Sequence, residues 1–331
     1  MSFGRSPFFP CGGRGSAFFL SDFCLEDTEM QKVIQPSRAM KAARRQENIA
    51  GYLFMTPCLL LFLGFVIFPM GMCLVTSFFN YTMTDFSFIG LDNYVRMFGD
   101  TVFTKSMVNT LVIVLVSVPV TCVFSLWVAS LLNRMSNLAT SFFRCVFYLP
   151  VVTGSVAVTV VWKWIFNNYY GLLNYVCKAL GIINGNINWL GNAQYALGCI
   201  IMILLTTSVG QPIVLYVSAL SNVDHSIIEA AQVDGATNFQ VFWRVKWPQI
   251  MPTTLYILVI TTINSFQCFA LIQLLTSGGP NYSTSTVMYY IYYQAFKLND
   301  YGYGSAMGII LAIIIAIFSA IQFKFAQTDN G

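Results

Sequence analysis

Within the apolar run 253–275, Thr261, Asn264 and Gln267 recur at i, i+3 and i+6. That spacing places all three on one face of a helix. Hydroxyl and amide side chains both donate and accept hydrogen bonds, so the group suits a neutral, hydroxyl-rich ligand. Phe266 and Phe269 offer rings on which such a ligand could stack. Gln211, next to Pro212 in another apolar run, is a further candidate, whereas Gln273 falls out of phase with Asn264. The same side chains could instead hold neighbouring helices together by hydrogen bonds, and spacing alone leaves both roles open.

Other chemistries have little to draw on. His225 is the single histidine, and the nine cysteines form neither a CxxC pair nor a Cys/His cluster. No metal site and no catalytic residue is therefore expected. The pattern GxxxxGK[ST] is absent, so an ATP-driven function needs its ATPase on another chain. No Asp, Glu or His lies in the middle of an apolar run, which removes the usual parts of a proton relay.

The segment 221–252 gathers the ionisable residues of its region and carries helix punctuation twice. Ser226-Ile-Ile-Glu229 and Thr237-Asn-Phe-Gln240 both fit a capping box. Gly235 lies between them, where a helix can end in a left-handed residue. Two short helices joined at Gly235 are predicted, with Pro248 and Pro252 separating them from the next span. Phe239, Phe242, Trp243 and Lys246 follow i, i+3, i+4, i+7 spacing, so three aromatic rings share one face. Such a face seeks a groove, on its own bundle or on a partner, or else lies on lipid.

The elements that hold these residues follow from composition. Of 331 residues, 56% are apolar and 9% charged, against about 25% charged in an ordinary globular chain. The mean hydropathy is +0.67. The chain is membrane-embedded and all-α. A spanning helix needs roughly 20 apolar residues, which gives six candidates: 52–79, 107–132, 145–166, 195–220, 253–275 and 305–323. Pro57, Pro69, Pro119, Pro150 and Pro212 are expected to kink them. Of seventeen Lys and Arg, twelve fall on the side of the termini and of 221–252. The excess of basic residues places that side in the cytoplasm. The net charge of +4, spread without a basic patch, argues against nucleic acid.

Residues 1–46 lack a signal-peptide core and read as a disordered cytoplasmic tail, with Met30 or Met40 as alternative starts. A six-helix membrane domain over 47–326 follows. Lys163, between Trp162 and Trp164, is expected to snorkel in an aromatic belt. Val287 to Phe296 is too short to span, and reads as an interfacial or re-entrant helix.

Glu229-Ala230-Ala231-Gln-Val-Asp234-Gly235-Ala, followed by Trp247-Pro248 and Met251-Pro252, resembles the "EAA" loop of ABC importer permeases. Further matches run from Tyr52-Leu-Phe through Gly90-Leu-Asp92-Asn93-Tyr94, Asn109-Thr110 and Leu149-Pro150 to Gly171-Leu-Leu-Asn174 and Trp189-Leu190. Leu275-Thr276-Ser-Gly278-Gly279-Pro280, Tyr290-Ile-Tyr and Gly302-Tyr303 continue the pattern. Together they are similar to the carbohydrate or glycerol-phosphate branch of that family. Gly210-Gln211-Pro212 and Trp247 depart from it.

The resemblance implies a type I ABC importer permease fold with a core of about 105–325, in the cytoplasmic membrane of a bacterium. It implies alternating access, driven by a cytoplasmic ATPase dimer that alone binds ATP, so this chain needs no cofactor. A second homologous permease, an extracellular or periplasmic solute-binding protein and membrane lipid complete the partners. Glu229, Ala230, Ala231, Asp234, Gly235, Phe239, Phe242, Trp243 and Pro248 would then couple the chain to its ATPase. The competing readings are a self-sufficient secondary transporter or channel, and an integral membrane enzyme. The first is disfavoured by neutral spans and the lack of an obvious repeat, the second by the missing catalytic constellation.

Overall fold

The computed structural model describes residues 38–328, with side chains over 48–324. The expectations of a disordered tail and of a start at Met30 or Met40 fall largely outside the described residues, although a helix already begins at Arg38.

Two compact units divide at Phe68 and Pro69. The first contains α1 (Arg38–Phe62) and a π-helical turn, Leu63–Ile67. Taken with α2 (Phe68–Thr76), the stretch Asn48–Thr76 is long and apolar enough to cross a membrane.

The second unit opens on a hairpin of β1 (Phe79–Tyr81) and β2 (Phe86–Phe88), paired antiparallel with Phe79 opposite Phe88. It continues with α3 (Asp92–Gly99), α4 (Thr101–Leu132), α5 (Asn137–Val152), α6 (Ser155–Ile165), α7 (Leu172–Ala179), α8 (Ala196–Ser208) and α9 (Gly210–Ser221). Then come α10 (His225–Val233), α11 (Asn238–Val241), α12 (Trp247–Phe266), α13 (Ala270–Leu275), α14 (Val287–Tyr292) and α15 (Tyr301–Thr328). Helix α4 packs on both α9 and α12, while α12 also packs on α15 and α5 covers α9. Ile213, Tyr216, Ile257, Phe266, Tyr303 and Met307 fill the resulting core. A second cluster, with Ile113, Ile200, Ile203 and Ile272, joins α4, α8 and α13.

Among the described residues, four helices are long and apolar enough to cross a membrane, and two bent pairs bring the number to six if each pair is one span. The bends correct the sequence reading in detail. The third span is no straight run over 145–166: α5 and α6 meet at 95°, because Thr153 and Gly154 are extended, with ψ of 124° and 146°. Pro150 lies inside α5, ahead of the break. The fourth span bends by 41° between α8 and α9. Pro212 has no N–H for the Ser208 carbonyl four residues back, and its ring crowds that turn. Pro119, by contrast, sits within an unbroken α4.

The prolines at 248 and 252 do not separate the 221–252 segment from the fifth span. Helix α11 runs through a π-helical turn (Phe242–Lys246) directly into α12, and the Trp247 N–H reaches back to the Phe242 carbonyl. Pro248 could not donate to Arg244 in a regular α-helix. The wider turn just upstream accommodates that loss without ending the helix. Val287 to Phe296 does form helix, as α14 and a π-helical turn (Tyr293–Lys297). Its Val287, Tyr289, Tyr290 and Gln294 are buried against α4 and α15, so the segment packs on the bundle.

Candidate coupling surface and transport pocket

The segment expected to couple to an ATPase is built from two caps and one glycine. Asp224, one residue before α10, accepts the Ser226 N–H at 2.9 Å, so the expected Ser226–Glu229 capping box does not form. An aspartate side chain already serves the first turn, which leaves Glu229 exposed and without a partner among the described residues. The Ser226 backbone hydrogen bond holds the Asp224 carboxyl below its usual value. At the far end of α10 the Gly235 N–H bonds to the Gln232 carbonyl and the Ala236 N–H to the Ala231 carbonyl, each at 3.0 Å. This is a Schellman termination, which needs a left-handed residue at Gly235. Its φ is +82°.

Thr237 then starts α11 in the predicted capping box. The Gln240 N–H bonds to the Thr237 hydroxyl at 3.4 Å, and the Thr237 N–H bonds to the Gln240 side chain at 2.8 Å. Phe239, Phe242, Trp243 and Trp247 pack ring to ring, with centroids 5.4–6.1 Å apart around Trp243. The aromatic face is thus formed but only partly covered: Phe239 is 72% exposed. Val233 is 87% exposed beside it, with Glu229, Ala230, Asp234 and Gly235 also open to solvent and Ala231 half-buried. Pro248 is exposed on the continuing helix. An apolar surface rimmed by two carboxylates is suited to a protein partner.

The second site is a pocket of about 150 Å³ between α9 and α12, closed on one side by Val151 of α5. Gln211, Thr261 and Asn264 line it together, as do Thr207 and Ser208. Gln211 follows the bend between α8 and α9. Gly210 allows the approach, since a Cβ there would lie 2.4 Å from the Phe147 carbonyl oxygen. No ionisable side chain lines the pocket. The amides of Gln211 and Asn264 make no hydrogen bond among the described residues, so neither serves as an interhelical tie.

Gln267 does not belong to this group. Helix α12 stops at Phe266 and Gln267 caps it, so the i+6 position has left the helical face. Phe266 is not a stacking surface either: it is fully buried, packed at 5.3 Å against Phe318. Phe269 turns to Tyr292 at 4.9 Å. Thr207 and Ser208 were missed by sequence reasoning. Their signal is the polar triplet Thr206-Thr207-Ser208 inside an apolar run, just ahead of Gly210-Gln211-Pro212.

Comparison with known proteins agrees with this architecture. The family model described as "Binding-protein-dependent transport system inner membrane component" matches residues 103–328. The "Probable ABC transporter permease protein YesP" of Bacillus subtilis is 36% identical over 293 residues, covering 86% of this chain and 94% of that protein. The "Multiple sugar-binding transport system permease protein MsmF" of Streptococcus mutans is 36% identical over 279 residues, covering 84% and 95%. The "Lactose transport system permease protein LacF" of Rhizobium radiobacter is 30% identical, covering 86% and 96%. In fold, the chain resembles one in the crystal structure of a bacterial alginate ABC transporter with its pentasaccharide-bound periplasmic protein. The TM-score is 0.73 at 22% identity, covering 86% of this chain and 96% of that one. With a family model spanning most of its length and relatives of this identity, the chain belongs to the binding-protein-dependent transport system inner membrane components, the membrane-embedded permease subunits of ABC importers whose ATPase is a separate subunit.

Proposed function

We propose that this permease imports a sugar or a related polyol or glycerol-phosphate, and that the pocket between α9 and α12 is its share of the path. One observation carries the reading: Gln211 and Asn264 present unpartnered amides to a pocket with no ionisable lining. Neutral donors and acceptors of this kind match hydroxyl groups. The names of two relatives of this chain, a multiple sugar-binding transport system permease and a lactose transport system permease, support the class.

The end of the bundle that bears α10 and α11 faces the cytoplasm, as do both termini, in keeping with the basic residues on that side. There Glu229, Asp234 and the Phe239–Trp243 face enter a cleft of the ATPase, and the turn at Gly235 sets the angle between the two helices. ATP is bound by the ATPase dimer alone. A second homologous permease completes the path, and a soluble binding protein delivers the substrate at the opposite face. Closure of the ATPase dimer drives α10 and α11, and through the continuous α11–α12 helix the pocket wall at Thr261 and Asn264.

The test is co-expression with the partner permease, ATPase and binding protein encoded alongside it, followed by reconstitution. Uptake of a labelled oligosaccharide that needs ATP and the binding protein is expected. Full uptake by this chain purified alone would overturn the proposal.

A further inference from the structure

At the bundle end that carries α10 and α11, two polar pockets share the side chain of Asn133 in the α4–α5 turn. One, of about 300 Å³, has Arg134 and Lys246 in its lining together with Gln232 and Asn238. The other, of about 230 Å³, has Asn137, Thr140, Ser141 and Arg144. No Asp or Glu lines either. Among the described residues Arg134 and Lys246 form no ion pair, and the Nε of Arg144 is buried without a hydrogen-bond partner. A buried guanidinium donor left unmade is costly, and calls for an anion or water to complete it. The Asn133 Oδ1 accepts from Ser221 at 3.4 Å, which leaves its amide NH₂ without a partner. Two cations therefore line the first pocket and Arg144 the second, a double cup joined at Asn133 with no counter-charge in either half.

The position of the cup selects the anion. The span Thr101–Leu132 ends directly at it and is 32 residues long; at about 1.5 Å per residue it outruns a hydrocarbon core of about 30 Å, so its end reaches the headgroup region. On α5, Asn137, Ser141 and Arg144 face the cup. One step around the helix, Leu138 is 86% and Phe142 64% exposed, an apolar stripe suited to acyl chains. Guanidinium and ammonium groups recognise phosphate oxygens by charge-assisted hydrogen bonds. We propose that this double cup is a binding site for an anionic phospholipid headgroup, its phosphate held by Arg134, Lys246 and the Asn133 amide, with Arg144 alongside in the adjoining half. Because the lining joins the α4–α5 turn to α10 and α11, an occupied site braces the coupling helices against the bundle.

The test uses the full chain in vesicles of phosphatidylcholine with and without phosphatidylglycerol. It is then extracted in mild detergent, and native mass spectrometry reads the lipid retained. The wild type is expected to retain phosphatidylglycerol. R134Q/K246Q should lose roughly a hundredfold in retention, about tenfold for each of the two charge-assisted contacts removed. R244Q, an exposed cation of the same segment outside the cup, should lose none, and R134K/K246R should keep most of it, which separates charge from misfolding. Equal retention in R134Q/K246Q and R244Q would overturn the site. Binding of inorganic phosphate, lost in R134Q/K246Q, without retained phosphatidylglycerol would overturn the headgroup as the source.

Discussion

Tyr290 donates its hydroxyl to the Oδ2 of Asp100 at 2.7 Å, across 190 residues of sequence. Tyr303 donates to the same oxygen at 2.8 Å, while Oδ1 caps α4 through the N–H groups of Val102 and Phe103. The Gln294 amide donates to Tyr290 at 2.7 Å, and the Arg96 guanidinium sits 4.2 Å over the Tyr303 ring while pairing with Asp300 at 2.8 Å. One carboxylate thus ties the start of α4 to α14 and α15, at the end of α4 remote from α10 and α11.

Removing that carboxylate is expected to loosen three helices at once. Asp100→Ala loses a helix cap and strands two tyrosine hydroxyls, a cost of about 3 kcal/mol. Asp100→Asn keeps a capping oxygen and should cost less. Thermal unfolding of the purified subunit in detergent, followed by tryptophan fluorescence, would rank the two; equal melting of Asp100→Ala and wild type would contradict the role.

The same tie predicts a pH dependence. Burial raises the Asp100 pKa, but the hydrogen bonds from Tyr290, Tyr303, Phe103 and Val102 outweigh it and leave the carboxyl below 3.8. A depressed folded value means stability that is present above pH 3.8 and lost as pH falls through the folded pKa. Burial and the Asp100 contact push the Tyr290 phenol above its usual 10.0, so its contribution is present below pH 10 and is lost as pH rises further. Melting temperature scanned from neutral to acid pH should fall less in Asp100→Asn than in wild type.

Gly235 should tolerate substitution in order of left-handed propensity. No atom lies within 4 Å of a Cβ built there, so the cost is backbone strain alone, about 1–2 kcal/mol for most residues and less for Asn. Gly235→Asn is expected to transport near normally. Gly235→Asp tolerates the backbone as Asn does but adds a carboxylate beside Asp234 on the surface expected to meet the ATPase, so it should stay in the membrane and lose coupling of ATP hydrolysis to uptake. Glu229→Ala, at an exposed and unpartnered site, should shift stability by under about 0.5 kcal/mol yet bring down less ATPase on affinity purification.

In the pocket, Asn264→Ala and Gln211→Ala are expected to lower uptake several-fold at unchanged subunit level, by roughly the worth of one hydrogen bond each. Gln267→Ala, outside the pocket, should leave uptake unchanged. Initial rates of labelled-substrate uptake distinguish the three, and a loss in Gln267→Ala equal to that in Asn264→Ala would argue against this assignment.

Gly210→Ala should separate α9 from α5, because the added methyl would meet the Phe147 carbonyl oxygen at 2.4 Å and Val151 Cγ2 at 2.9 Å. Overpacking of this kind costs typically 1–3 kcal/mol. Lower membrane abundance with residual, weakened uptake is the expected phenotype, checked by immunoblot and transport together.

Contiguous residues were enough for much of this protein. A charged fraction of 9% announces a membrane chain, a missing phosphate-binding loop sends ATP hydrolysis elsewhere, and Thr237, Gln240 and Gly235 declare their cap and turn because those motifs are closed within five or six residues. Prolines were read less well, since a proline removes one hydrogen bond but its neighbours decide the outcome: a bend before Pro212, a π-helical turn before Pro248, little at Pro119. Only the tertiary structure brought Gln211 beside Asn264, excluded Gln267 and Phe266, and delivered Tyr290 and Tyr303 to Asp100. Those relationships join residues tens to hundreds of positions apart. They depend on where helices cross and end, and helical period and capping carry no information about partners across the bundle.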